Sequence, residues 1–402
     1  MTPQPLAGCR IIDFCWMIAG PLTTRLLADL GAEVIKVESL ARVDRIREVG
    51  VQPPGLLSPD TNGVFNDCNP NKLSITLNLG DPRGVQLAKQ LVSHGDVVTS
   101  NFTPDRMARW GLGYDDLKAV KEDIIVASLP VMGSEGSRGS WRAVGNGVIA
   151  LGGLNALTGF PGRPPVGLGT LHSDFTAPYF GALQIAAAIR HRNRTGQGQY
   201  IELSQYESCI HLLDTEVLDY LINGRAATQR GNRSAEYVPH GVFPCAGEDR
   251  WIAIVARDEA EWRALCEVLE LGELAQRADL AEVEGRRRAI DEIEHAITAR
   301  TRTADAWTLS DNLQHAGVPA SPVEDVGDLV GRDPMREGFL QEIDHPSGVS
   351  MLVQNEPVVW NGDRLPIHRA PLFGEHTEQI YGQLLGMGSD EVAELVADGV
   401  IY

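Results

Sequence analysis

No run of eighteen consecutive apolar residues occurs in this 402-residue chain, so the sequence offers no membrane-spanning helix. The stretch Met1–Gly8 has no basic run leading into an apolar core, and no secretory signal is expected. None of the six cysteines (Cys9, Cys15, Cys68, Cys209, Cys245, Cys266) forms a C-x-x-C pair. Their scatter argues against a zinc site or a disulfide framework, and points to reduced, buried thiols and a cytoplasmic location. Basic residues are in deficit: 35 Lys and Arg face 54 Asp and Glu, a net charge of −19. Such a chain suits neither nucleic acid nor an anionic membrane, because both are held by clustered Lys and Arg. A small anionic substrate is still allowed, since a few local cations suffice for one phosphate. Several motifs are missing as well. The loop after the first predicted strand reads Cys15-Trp-Met-Ile-Ala-Gly-Pro21 in place of G-x-G-x-x-G, and there is no P-loop, no G-x-S-x-G and no H-E-x-x-H. Dinucleotide binding, nucleotide hydrolysis, serine-hydrolase and zinc-protease chemistry all lose support.

What is present is an ordinary globular composition, 43% hydrophobic and 22% charged, with length for roughly two or three domains. The first forty residues read as strand (Arg10 to Phe14), helix (Pro21 to Leu30, stopped by Gly31) and strand (Ala32 to Val37). The pattern returns with Asp81-Pro82 as N-cap and N1 of a helix to His94, then a strand from Asp96 to Thr99. A helix near Asp115 to Lys121 precedes a strand at Ile124 to Leu129. Alternating strands and helices imply a parallel sheet covered on both faces. The Gly- and Pro-rich stretch Leu151 to Ser173 reads as loop. Helices are expected at Pro178 to His191 and Gln205 to Asn223, separated by Arg194-Thr-Gly-Gln-Gly-Gln199 and a strand at Tyr200 to Leu203. A smaller unit follows, with a strand at Trp251 to Val255 and helices at Glu259 to Leu269, Arg286 to Arg300 and Asp305 to His315. After about Asp333 periodicity fades until a helix at Ser389 to Ala397. The expected organisation is a large domain over 1–224, a small domain with linkers over 225–332, and a return to the large domain over 333–402.

One carboxylate stands out. Asp174 follows Gly167 and Gly169 and precedes the helix expected at Pro178. A helix start offers unpaired N–H groups and partial positive charge, which would keep the carboxylate ionised and could steady an oxyanion. The same placement suits an Asp that only caps a helix, which is the commoner use. Local pattern leaves both open.

A longer pattern bears on the choice. Pro5-Leu-Ala-Gly8, Ile12-Asp-Phe14, Ala19-Gly-Pro21 and Leu27-Ala-Asp-Leu-Gly-Ala-Glu-Val-Ile-Lys-Val-Glu38 resemble the opening of the class III CoA transferases. The likeness continues through Asn71-Lys72 with Ser74, Asn101-Phe102, Arg109 with Gly111, Asp174, Arg194-Thr-Gly-Gln-Gly-Gln199 and Ala370-Pro-Leu-Phe-Gly-Glu-His-Thr377. It spans nearly the whole chain in order. The resemblance implies an α/β fold with a Rossmann-like large domain and a smaller α/β domain, in a dimer whose two chains interlock as rings. It makes Asp174 the match to a nucleophilic aspartate that carries CoA through an acyl anhydride and an aspartyl-CoA thioester. Ile18, Ala19, Asn71, Asn101 and Phe102 match positions lining CoA, and Lys72, Arg109 and Arg142 match basic positions near it. The substrates implied are CoA thioesters, with succinyl-CoA a plausible donor and a dicarboxylate or aryl-succinate the acceptor. No metal and no permanently bound cofactor is needed.

Two departures stand out. Where formyl-CoA transferase has a basic residue after the second strand, this chain has Ser39, with Arg42 a substitute close by. The glycine-only loop that closes that enzyme's site has no counterpart, so another element, such as Val238-Pro-His-Gly241, is needed. The 2-methylacyl-CoA racemases share the fold but pair their Asp with a His. Here Val144 or Gly145 falls at that position, and neither exchanges a proton. A further alternative is one subunit of a heteromeric transferase, paired with a homologous chain; Asp174 would make this chain the active one.

Overall fold

A computed structural model describes residues 4–53, 55, 58–334 and 338–402. The chain divides into two compact units, one of Met1–Asn155, Gly167–Arg225 and Glu337–Tyr402, the other of Ala156–Val166 and Ala226–Arg336. The stretch Ala156–Val166, read from sequence as part of the large domain, therefore belongs to the second unit.

The first unit is built on six strands: β1 (Arg10–Asp13), β2 (Glu33–Glu38), β3 (Lys72–Thr76), β4 (Val97–Ser100), β5 (Ile125–Ser128) and β6 (Tyr200–Glu202). They lie in the order β3-β2-β1-β4-β5-β6, and every pairing is parallel. Side chains alternate across a strand, and the two faces can be followed residue by residue. Ile12, Ile35, Val98 and Val126 enter one core with Leu87 and Leu91 of the helix Pro82–Ser93. Ile11, Val34, Val97 and Ile125 enter the other with Leu27 of the helix Ala19–Asp29 and Ile185 and Ile189 of the helix His172–Thr195. Both faces are thus buried, as a parallel sheet requires. The strand order reverses between β1 and β4, which opens a crevice at their carboxyl ends.

The C-terminal segment completes the edge beside β3. The Tyr381 hydroxyl donates to the Thr76 carbonyl at 2.9 Å, and the N–H of Asn78 donates to the Val400 carbonyl at 2.8 Å. The region after Asp333, expected to be irregular, also holds an antiparallel hairpin, β10 (Leu340–Asp344) and β11 (Ser350–Gln354). In the second unit β7 (His240–Pro244), β8 (Trp251–Val255) and β9 (Ala320–Pro322) form an antiparallel sheet. Trp262, Leu265, Ile293 and Leu313 from its helices share a core with Ile252 and Ile254. Val238–Gly241, expected as a closing loop, runs directly into β7. Among the described residues no helix is long and apolar enough to cross a membrane.

Two helices differ from expectation for local reasons. The stretch expected as one helix over Gln205 to Asn223 breaks into Gln205–His211 and Asp214–Asn223. The helix expected from Pro178 begins six residues earlier, at His172. Proline is tolerated near a helix start but lacks the N–H that would serve the carbonyl four residues back. That carbonyl belongs to Asp174.

The glycines of Arg194-Thr-Gly-Gln-Gly-Gln199 have separate jobs. Gly196 takes φ +73° to end the long helix. Gly198 lies so close to β5 that a methyl there would sit 2.1 Å from the Ile124 carbonyl oxygen. Gly198→Ala is therefore expected to push β6 from β5 and cost about 2–3 kcal/mol, read as a lowered midpoint in urea unfolding.

Candidate active site

At the crevice between β1 and β4 lies a cleft of about 640 Å³. Its walls come from the segments that follow β1, β2, β3 and β4, and from Arg142. Buried charges hold the first of these segments. Asp13, at the end of β1, accepts hydrogen bonds from the Cys15 N–H (2.9 Å), Thr24 Oγ1 (2.7 Å) and Thr99 Oγ1 (2.9 Å), with Lys72 Nζ at 3.3 Å. Burial alone would raise the Asp13 carboxyl, but Lys72, Lys36 and the hydrogen bonds outweigh it and hold it below the usual range. Lys36 Nζ donates to the Cys15 carbonyl (2.8 Å) and to Asp44 (3.0 Å), and Asp44 in turn accepts from the Met17 N–H (3.0 Å). Asn101, from the end of β4, bonds both the N–H and the carbonyl of Trp16, at 2.8 and 2.7 Å. The loop Cys15–Ile18 is thereby clamped from three sides.

The cleft presents rings and cations together. Trp16 and Phe102 meet edge to face at 5.3 Å, and Phe102 and Trp110 at 5.6 Å. Arg42 lies over the Trp16 ring at 5.6 Å and Arg106 over Trp110 at 5.5 Å. Arg42 reaches the cleft because the chain doubles back at Ser39, whose carbonyl accepts from the Arg42 N–H at 3.1 Å. Flat π-faces beside guanidinium groups suit a ligand that joins an aromatic base to phosphates.

The residues singled out from sequence are distributed unevenly around this cleft. Asn101, Phe102 and Arg142 line it. Ile18 and Ala19 are buried at the start of the helix Ala19–Asp29, Ile18 against Ile46 and Phe65. Asn71 faces elsewhere: with φ +59° it donates to Asp29 at 2.6 Å and accepts from the His368 N–H at 2.7 Å, tying down the C-terminal segment. Lys72 requires a correction. Its ammonium is buried and donates to the Pro21 carbonyl (2.7 Å), Thr24 Oγ1 (2.8 Å) and Asn69 (3.0 Å) beside Asp13. With its donors used, it balances Asp13 and has none left for a phosphate. Arg109 is exposed and is not part of the cleft lining; Arg106, three residues earlier, is. Sequence reasoning missed Arg106, Trp16 and Trp110. The i, i+4 spacing of Arg106 and Trp110 was the available signal, since it sets a side chain over its neighbour one turn on.

Asp174 occupies the first turn of the helix His172–Thr195. Among the described residues its carboxylate has no hydrogen-bond or ion-pair partner. Burial pushes its pKa up from 3.8 to about 6. The helix start thus does not hold the carboxyl low, because desolvation disfavours the charged form, yet a group titrating at about 6 is still mostly ionised at neutral pH. Its surroundings include the Cys209 thiol, raised by burial and by the Asp174 charge. No group of His, Cys, Asp and Glu able to hold a metal ion occurs among the described residues.

Comparison with known proteins bears directly on this arrangement. Residues 6–377 match the family described as CoA-transferase family III. The chain belongs to that family. It is accordingly a CoA-transferase of class III. The succinyl-CoA–D-citramalate CoA-transferase of Chloroflexus aurantiacus is 31% identical over 99% of this chain and 98% of its own length. The succinyl-CoA:glutarate CoA-transferase of Mus musculus is 30% identical over 99% and 90% respectively. The solved structure of a CAIB/BAIF family protein from Brucella suis is 28% identical and superposes with a TM-score of 0.86, covering 96% of this chain and 100% of that one.

The raised carboxyl has a consequence for stability. Because folded Asp174 binds a proton more tightly than the unfolded chain, its ionised form weakens the fold at neutral pH. That penalty is relieved as pH falls through about 6. Asp174→Asn is expected to stabilise the protein by roughly 2–3 kcal/mol at pH 7.5, with the gain fading toward pH 4. Urea midpoints measured across that range check this.

Proposed function

We propose that the protein moves coenzyme A from succinyl-CoA to a dicarboxylic acid, with Asp174 as the covalent nucleophile. The observation that carries this reading is the Asp174 carboxylate itself, partly desolvated and without a hydrogen-bond or ion-pair partner among the described residues, at the head of a long helix. A carboxylate without a cation or hydrogen bond keeps its electron pair for an incoming carbonyl. Its higher basicity also makes it a stronger nucleophile than an exposed aspartate.

The steps follow from conserving the thioester. An Asp174 oxygen attacks the donor thioester carbonyl, and the C–S bond breaks to give a mixed anhydride and CoA thiolate. The thiolate attacks the Asp174 carbonyl of the anhydride, forming aspartyl-CoA and releasing the donor acid. The acceptor carboxylate then attacks the aspartyl thioester, regenerating thiolate and a second anhydride. Attack of the thiolate on the acceptor's acyl carbon gives the new CoA thioester and frees Asp174. Dry surroundings protect both anhydrides from hydrolysis.

The cleft supplies the handle for CoA. Arg42, Arg106 and Arg142 suit its phosphates, and the Trp16–Phe102–Trp110 cluster suits adenine. Arg106 takes the part first given to Arg109. The dicarboxylate class of acceptor is supported by relatives named for citramalate and glutarate. Racemisation is disfavoured because it needs a second proton carrier, whereas the position that would supply one holds Val144 or Gly145.

The interlocked dimer belongs to the same reading. Phe175, Tyr179 and Leu183 form an exposed stripe at i, i+4, i+8 of the long helix, and Leu218, Leu221 and Ile222 are exposed on Asp214–Asn223. Faces of this kind mark association surfaces. Light scattering should give twice the chain mass of 43.6 kDa; a monomer would remove the dimer from the proposal.

The transfer chemistry is tested with purified protein, succinyl-CoA and a panel of dicarboxylic acids. With hydroxylamine present, donor turnover should modify Asp174 and no other carboxylate, as read by peptide mass. Asp174→Ala should lower kcat by at least 10³-fold. Arg106→Ala should raise KM for succinyl-CoA about tenfold, while Arg109→Ala leaves it unchanged. Normal turnover by Asp174→Ala would sink the mechanism.

A further inference from the structure

Gly145 opens the short helix Gly145–Leu151 and is buried. Its backbone does not call for glycine, since its φ lies outside the left-handed region occupied by many glycines of this chain. A helix position also disfavours glycine relative to alanine. The reason for glycine is therefore spatial. A methyl at this position would lie 2.7 Å from Asp174 Oδ2, and 3.1 Å from both Cβ and Cδ2 of Leu171. The first of these is a collision, and the second a tight contact. The neighbouring glycine of the same helix behaves differently: a methyl at the exposed Gly147 would meet nothing nearer than Ala143 Cβ at 3.9 Å. The Gly145 backbone is also fixed in place. Ser173, wholly buried and adjacent to Asp174, places its hydroxyl 3.4 Å from the Gly145 carbonyl, to which it donates.

We propose that Gly145 is a positioning residue for Asp174: its bare backbone closes on the carboxylate, excludes water from that side and fixes the orientation of Oδ2. The inference rests on the reading of Asp174 as nucleophile. The carboxylate has no hydrogen bond or ion pair to orient it among the described residues, so packing is what limits its rotation. A side chain at position 145 turns the carboxylate away from its attack direction and toward solvent. Two effects follow together. The nucleophile loses alignment, and its pKa falls back from about 6 toward the ordinary carboxylate range. Binding of the CoA moiety at the cleft is untouched, because Gly145, like Asp174, is not among the residues lining it.

The test compares wild type, Gly145→Ala and Gly147→Ala for succinyl-CoA-dependent transfer across pH 4.5 to 8. For Gly145→Ala, kcat is expected to fall about 100-fold with KM for succinyl-CoA changed less than about twofold. The acid limb of kcat/KM should move down by at least one pH unit. Gly147→Ala should behave as wild type in all three. A second measurement holds even if Gly145→Ala is inactive or marginally folded. Gly145→Ala should shift Tm by a different amount in the wild-type background than in an Asp174→Ala background, where the colliding oxygen is gone and only the Leu171 contacts remain. Wild-type kcat and acid limb in Gly145→Ala, or an equal Tm shift in both backgrounds, would overturn the positioning role. Undiminished turnover by Asp174→Ala alone would instead remove the nucleophile reading beneath it, so the two failures are told apart.

Discussion

The cleft depends on charges buried beneath its walls. Asp13, Lys72, Lys36, Asp44, Glu38 and Arg47 are all buried, and each is paired: Asp13 with Lys72, Lys36 with Asp44, Arg47 with Glu38. An unpaired ion at such depth costs several kcal/mol, so the pairs hold one another in place far more firmly than surface ion pairs would. Their geometry is transmitted upward. Asp13 and Lys36 grip the backbone at Cys15, Asp44 grips it at Met17, and Arg47 sits 3.5 Å over the Phe65 ring while spanning both oxygens of Glu38. A loop that is neither helix nor strand thereby acquires one conformation. The dinucleotide-binding version of this topology fixes the equivalent turn with glycines and a helix start. Here buried ion pairs do that work, which accounts for the absence of G-x-G-x-x-G.

That arrangement also explains how a chain of net charge −19 offers a cationic cleft. Buried acids are neutralised by buried bases, and the guanidinium groups of Arg42, Arg106 and Arg142 are left over at the rim. Net charge averages over the surface, while a ligand samples only the field within about a Debye length, roughly 8–10 Å. Arg42 shows how local the solution is. The position after β2 holds Ser39, yet a tight turn returns the chain within three residues and delivers a cation over Trp16.

Much of the fold was legible in the sequence because it rests on periodicity and end signals. Asp81-Pro82 does begin a helix, and Ser389 to Ala397 is one. The site was less legible, for three physical reasons. A lysine such as Lys72 reads as a cation wherever it lies, and only the fold tells whether its donors are already used. Pro178 marks a helix start by rule, but proline is accepted in an early turn, so Asp174 moved from before the helix into it. Gly145 was noted as a residue unable to exchange a proton, whereas its meaning is steric and depends on the segment carrying Asp174, far along the chain. The hairpin β10–β11 was missed because its exposure pattern is not matched by residue type: in β11 the apolar Leu352 is exposed beside the buried Val353, so the run Met351-Leu-Val353 shows no polar–apolar alternation.

The proposed chemistry divides labour between two kinds of environment, and their requirements conflict. Phosphates want cations and open water paths, which favour the exposed rim where the arginines lie. An acyl anhydride wants dryness, and a nucleophilic carboxylate gains basicity from the same dryness. A guanidinium beside Asp174 would serve the first need and spoil the second, because it would lower the carboxyl pKa and tie up an oxygen. The residues set against Asp174 are instead uncharged: Gly145, Leu171 and a Cys209 thiol kept protonated. Such surroundings leave orientation to be supplied by shape alone. That is why a missing side chain at Gly145 can matter as much to the chemistry as the charged side chains do to binding.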